Sequence, residues 1–162
     1  MRKDGYSDDG YIIDQAKMAD IRYGCRTSDY NGCGWIAVFN FLHGCGEDWT
    51  EEELAGRFLK WSLFRGLLGT SPLRIRRFLR LLGYPVRTAC GRIRAIAASE
   101  RMKRGILLYR HTNGWHFICI NRTKGGQLRF LNALPNRSMY LDTMENFLNA
   151  QNLTKCIVLF YC

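Results

Sequence analysis

The amino-acid sequence predicts an α+β domain, in which a helical N-terminal part packs on a C-terminal antiparallel β-sheet. Up to about residue 105, apolar residues recur at helical spacing behind typical N-cap residues. After Gly105 the pattern changes to short apolar runs separated by turn residues, which is typical of strands. The 162 residues suit one core. We therefore predict an N-terminal arm over residues 1–24 and a single domain over residues 25–162.

Four segments predict the helices of the domain. The segment GWIAVFNFLHG predicts a helix over residues 33–43 with one buried face. Thr50 and Glu53 form a capping-box pattern that opens a second helix. Ser71 and Pro72 open a third, and residues 91–105 predict a fourth. In the third helix the expected apolar stripe is Ile75, Phe78, Leu79 and Leu82, with Arg76, Arg77 and Arg80 on the outer side.

The sheet is predicted from four apolar runs, ILLYR, WHFICINR, QLRFLNA and KCIVLFYC, with a short helix before the last. The second and third runs form a hairpin if Lys124, Gly125 and Gly126 make its loop. Thr123 then faces Gln127. In that register Asn132 lies on the same face as His116, one diagonal step away.

The charge of the chain is concentrated in its central third. The net charge is +10, but the block Arg57–Arg104 holds thirteen lysines and arginines against one acid, Glu100. Such a block predicts either a solvated face or a surface for an anionic partner. There is no apolar run long enough to span a membrane, and the seven cysteines show no paired spacing. We therefore expect a cytoplasmic protein without a disulfide framework.

Cys33 lies between Gly32 and Gly34 where the first helix is predicted to begin. At that position a thiol faces free backbone N–H groups and the positive end of the helix dipole, which favour the nucleophilic thiolate. The same N–H groups can stabilise an oxyanion. A nucleophilic cysteine needs a base, and His116 is the candidate because it begins an otherwise apolar strand. Asn132 is the candidate for orienting the imidazole.

The ordered set Cys33, His116 and Asn132 resembles that of the papain-like cysteine peptidases. The resemblance is closer to the small bacterial C39-type (bacteriocin-leader-processing) peptidases than to papain. The motifs that carry it are NGCGWIA, GWHFICI and FLNALPN, which fall between residues 30 and 136. It implies a papain-like fold, and a peptide or protein substrate cleaved through a thioacyl intermediate without a cofactor.

One position departs from that family. The resemblance places a glutamine of the oxyanion hole six residues before the cysteine, where this chain has Thr27. We expect the amide of Asn31 and the backbone N–H of Cys33 to hold the oxyanion instead. Trp115, Gly34 and Trp35 are the residues that we expect to line the substrate cleft.

Three other interpretations remain open from the sequence. The chain could be a catalytically inactive papain-like domain, because Thr27 replaces the glutamine. It could be a basic module for an anionic partner, although nucleic acid is disfavoured because no recognised binding motif is present. Cys25, Cys33, His43 and Cys45 could be assembled into a metal site, but their spacing matches no common zinc pattern.

Overall fold

The computed structural model describes residues 4–60, 69–111, 114–133, 139–153 and 157–162. The helices are α1 (Ser28–Asn31), α2 (Cys33–Gly44), α3 (Glu51–Lys60), α4 (Pro72–Leu81), α5 (Arg92–Ser99) and α6 (Met144–Ala150), and a short 3₁₀ helix covers Gln15–Lys17. The strands are β1 (Arg22–Tyr23), β2 (Arg26–Thr27), β3 (Arg87–Cys90), β4 (Arg104–His111), β5 (Gly114–Arg122), β6 (Leu128–Leu131), β7 (Met139–Asp142) and β8 (Val158–Tyr161). The predicted α+β class is confirmed.

Within the described residues, six strands form an antiparallel sheet in the order β3-β8-β4-β5-β6-β7. Strands β5 and β6 pair Cys119 with Leu131, and Thr123 N–H donates to the Gln127 carbonyl at 2.8 Å. This is the predicted hairpin register, and Gly126 in its loop has a φ of +85°. The predicted register also pairs His116 with position 134, which lies outside the described residues.

The sheet separates two hydrophobic cores. On one face, α2, α3 and α4 pack with strand residues that include Phe117 and Leu131. On the other face, α5 and α6 pack with the alternate residues, including Tyr109 and Ile118. The architecture is therefore a sheet with helices on both sides.

Helix α2 lies at the centre of the first core. All residues from Gly34 to Leu42 are buried, so the prediction of a single buried face was wrong. A helix that is apolar all round packs on all sides. It contacts the sheet on one side and α3 and α4 on others.

The N-terminal segment also packs into this core. Tyr6, Ile12, Met18 and Tyr23 are buried there. Asn40 of α2 holds the Ile12 backbone through two hydrogen bonds, of 2.8 Å to its N–H and 2.7 Å to its carbonyl oxygen. The boundary at residue 24 stays a prediction, but the segment before it contributes directly to the fold.

The remaining helix predictions are mostly confirmed. Thr50 and Glu53 exchange both bonds of a capping box, at 3.0 and 3.2 Å. Helix α4 begins at Pro72, and Ile75, Phe78 and Leu79 are buried. Leu82 was wrongly placed in that stripe, because it follows the last turn and is 36% exposed. Helix α5 ends at Ser99, since Arg104 and Gly105 belong to β4.

Candidate active site

Cys33 is the first residue of α2, but no open loop precedes it. Gly32 joins the one-turn helix α1 to α2: its N–H donates to the Ser28 carbonyl at 2.9 Å, and its carbonyl accepts from Ile36 N–H at 3.0 Å. The expected loop-to-helix junction is therefore a helix-to-helix junction. It directs the Cys33 side chain toward the beginning of β5.

The pKa of the Cys33 thiol is raised, contrary to the expectation from the helix start. Burial is the largest cause, because it removes water from the charged form. The backbone N–H groups of Phe117, Gly34 and Cys33 hydrogen-bond to the sulfur and oppose this effect, but they do not outweigh it. Two conclusions follow: the resting group is a neutral thiol, and its sulfur lies beside the residue that follows His116.

His116 is held by the main chain of the neighbouring strand. Its Nε2 lies 2.7 Å from the carbonyl oxygen of Asn132. A carbonyl only accepts hydrogen bonds, so Nε2 carries the proton and Nδ1 is left with a free lone pair. Burial lowers the pKa of the ring, and the bond to Asn132 partly offsets this. The resting imidazole is therefore neutral, with Nδ1 available as a base.

The side chain of Asn132 has a different partner from the one predicted. Its Oδ1 accepts from the Gln15 backbone N–H at 3.0 Å, and its Nδ2 donates to Gln15 Oε1 at 3.3 Å. The prediction that the amide orients His116 is corrected: the carbonyl of the same residue makes that contact. Asn132 is near His116 as the hairpin register required, but its φ of +59° turns the carbonyl toward the ring.

Two buried tyrosines, one in each core, interact electrostatically with Cys33. Burial raises the pKa of Tyr23 to about 12, and Cys33 adds to this effect. Burial also raises the pKa of Tyr109, again with a contribution from Cys33. Tyr23 belongs to the first core and Tyr109 to the second. Cys33 packs against the first core, and the Tyr109 ring contacts the His116 ring edge-on, with 5.7 Å between the ring centroids.

The residues predicted to line a cleft fall into different environments. Trp35 is fully buried and donates to Ser28 Oγ at 3.1 Å, so its predicted substrate contact is corrected to a core role. Gly34 is also buried and lies against Thr70. Trp115 is 53% exposed beside His116. Asn31 is buried at the end of α1, and its part in an oxyanion hole stays a prediction.

The residues of the metal hypothesis are not brought together. His43 Nε2 lies 2.8 Å from the Asp9 carbonyl, and its ring contacts Tyr11 and Phe39. In the part of the chain that the structure describes, no three His, Cys, Asp or Glu side chains form a group that could hold a metal ion. Nor is any helix there long and apolar enough to cross a membrane.

Several residues of the site could not be found from the sequence. Gln15, Tyr109 and Thr70 reach it from segments far away in the chain, and none of them lies in a motif. By contrast, Asn132 was located by the hairpin register, which is a local signal.

Comparisons with known proteins address the fold. No protein-family model matches the chain, and no curated protein matches it. A solved structure does: the peptidase domain of Streptococcus ComA, a bifunctional ABC transporter involved in a quorum-sensing pathway. The TM-score is 0.57 at 15% identity, over 82% of this chain and 92% of that domain. The chain is therefore distantly similar in fold to a peptidase domain.

Proposed function

We propose that the chain is a cysteine peptidase that cleaves a peptide or isopeptide bond with Cys33 as nucleophile and His116 as general base. The observation that carries the proposal is the arrangement at the start of β5. The Cys33 sulfur accepts from the N–H of Phe117, and the adjacent His116 has its Nε2 proton fixed on a carbonyl. The similarity in fold to the ComA peptidase domain supports the same chemistry.

The proposed reaction begins from two neutral groups. Nδ1 of His116 takes the thiol proton as the sulfur attacks the carbonyl carbon of the substrate, so that no thiolate is needed at rest. The C–N bond then breaks, and the imidazolium returns the proton to the leaving amine. Water, activated by the same ring, hydrolyses the thioester and restores the thiol.

The developing oxyanion needs hydrogen-bond donors. The backbone N–H groups of Cys33 and Gly34 already face the sulfur, and we propose that they contribute here together with the amide of Asn31. Thr27, which stands in the position of the family glutamine, is the last residue of β2 and precedes α1. Trp115 is the proposed contact for the substrate side chains next to the scissile bond.

The test is a digest of a diverse peptide library, read by mass spectrometry. We expect cleavage products that disappear with Cys33→Ala and with His116→Ala and persist with Cys25→Ala, because Cys25 is exposed and is not part of the site. Products that survive Cys33→Ala would exclude Cys33 as the nucleophile, and a folded wild-type protein that yields none would support the catalytically inactive alternative.

A second candidate function is binding of an acidic polypeptide on α4. Leu73, Arg76, Arg77, Arg80 and Leu81 line one shallow pocket on its outer side. The two leucines are 72% and 68% exposed and line the same pocket as the arginines. Arginines next to leucines fit acidic segments that also carry apolar residues. Fluorescence anisotropy with a Glu/Leu-rich peptide should show binding that Arg77→Glu abolishes and Leu73→Ser weakens; binding that only the charge change affects would indicate a simple polyanion.

A further inference from the structure

The N-terminal 3₁₀ helix connects the two halves of the candidate site. Gln15 Nε2 donates to the Asp29 carbonyl at 3.0 Å, in the helix α1 that leads into Cys33. The Oε1 of the same side chain accepts from Asn132 Nδ2 at 3.3 Å. One side chain thus joins the segment that carries the nucleophile to the residue that holds the base.

The left-handed backbone of Asn132 is held by further hydrogen bonds. Its φ of +59° lies in the left-handed region, which costs a residue with a side chain free energy unless its surroundings compensate. The backbone N–H of Gln15 binds Oδ1 at 3.0 Å, and this adds a second tie to the N-terminal segment. On the other side, Tyr109 Oη donates to the carbonyl of Ala133 at 2.8 Å. The Asn132 carbonyl is therefore fixed from both sides in the orientation that meets His116.

We propose that Gln15 is a positioning residue, and that the main-chain carbonyl of Asn132, not its side-chain amide, sets the tautomer of His116. The proposal rests on the proposed function only for its effect on catalysis. The N-terminal segment is then a structural part of the active site: it holds the carbonyl, and the carbonyl holds the ring with Nδ1 unprotonated. Gln15 itself does not contact the reacting atoms.

The first test separates the carbonyl of Asn132 from its amide. Asn132→Gly removes the side chain but keeps both the carbonyl and the freedom to adopt a positive φ. Long-range ¹H–¹⁵N NMR of the histidine rings reports the tautomer directly. We expect His116 to keep its proton on Nε2 in this variant, although kcat should fall about as far as in Gln15→Leu, because removing the Asn132 side chain also removes its two hydrogen bonds to Gln15. Loss of the Nε2–H tautomer in a folded Asn132→Gly protein would overturn the assignment to the carbonyl.

The second test addresses Gln15. Gln15→Leu removes both side-chain contacts, whereas Gln15→Glu keeps an acceptor for Asn132 Nδ2 and loses the donor to Asp29. We expect Gln15→Leu to broaden the His116 ring signals and to lower kcat by about tenfold or more with little change in KM, because misplaced catalytic groups lose rate. Gln15→Glu should recover the His116 tautomer in part. Gln127→Leu, an exposed glutamine in the β5–β6 loop, is the matched control.

The outcomes distinguish this proposal from the proposed function. If the His116 ring signals differ from those of the wild type in Gln15→Leu but not in Gln127→Leu, Gln15 positions the ring, even if no substrate is cleaved. Unchanged signals and unchanged kcat in folded Gln15→Leu protein would overturn it, even if the wild type is an active peptidase.

Discussion

Gly34 offers a quantitative test of how closely α2 packs beside the nucleophile. A Cβ atom added there would lie 2.5 Å from Thr70 Oγ1 and closer still to Thr70 Cβ. Thr70 is buried, and its hydroxyl is 2.8 Å from the hydroxyl of Tyr23, so it is not free to move away. Gly34→Ala therefore combines a gain in helix propensity of at most about 1 kcal/mol with an overpacking cost of about 1–3 kcal/mol.

Gly56 supplies the matched control, because it lies in α3 and a Cβ there meets nothing within 4 Å. Gly56→Ala should gain about 1 kcal/mol from propensity alone. The difference in unfolding free energy between the two variants then isolates the overpacking cost, about 1–3 kcal/mol. Urea denaturation monitored by tryptophan fluorescence measures it.

A second substitution, at Thr70, should rescue Gly34→Ala. Thr70→Gly removes the Cβ that the new methyl group meets, so Gly34→Ala should cost less in that background than in the wild type. Thr70→Ala should not rescue, because it retains that Cβ. If Gly34→Ala and Gly56→Ala changed stability by the same amount, the close contact between α2 and Thr70 would be refuted.

Two further predictions concern pH and the N-terminal segment. The pKa of His116 is lowered and that of Cys33 is raised. We therefore expect kcat/KM to be flat between about pH 6.5 and 8.5 and to fall only below that range, where the imidazole gains a proton. A rise in kcat/KM that follows ordinary thiol ionisation would contradict this. Asn40→Ala should cost about 2–6 kcal/mol of unfolding free energy, since it leaves the buried N–H and carbonyl of Ile12 unpaired. Asn149 is exposed, so Asn149→Ala should cost less than about 1 kcal/mol of unfolding free energy. Equal costs for the two variants would be inconsistent with an N-terminal segment that is docked on α2.

The parts of the fold that the sequence predicted are those with strong local signals. The capping box at Thr50 and Glu53 and the glycine loop between β5 and β6 are set by neighbouring residues. The strands β3 and β7 were missed, because they are short, lie at the two edges of the sheet and have few buried side chains. Their positions depend on pairing with distant strands, which no local pattern records.

In the candidate site, too, the sequence predicted what local signals determine and missed what depends on distant residues. Cys33, His116 and Asn132 were found from helix and hairpin signals, but the atoms that interact were not. Gln15 is 117 residues away from Asn132 in the chain, so a contact between them was not foreseeable before the fold was known. The raised pKa of Cys33 was missed because the helix start was considered without the burial that outweighs it.

The central claim is that Cys33 reacts through His116 with a substrate bound beside it. The most direct measurement compares modification rates at single cysteines, mapped by mass spectrometry, for peptidyl fluoromethyl ketones and for iodoacetamide. With its raised pKa, Cys33 should react with iodoacetamide no faster than the exposed Cys25 and Cys90. The peptidyl probes should modify Cys33 first, and His116→Ala should abolish that preference. If the peptidyl probes modified Cys25 or Cys90 as fast as Cys33 in the folded wild-type protein, the proposed catalytic pair would be wrong.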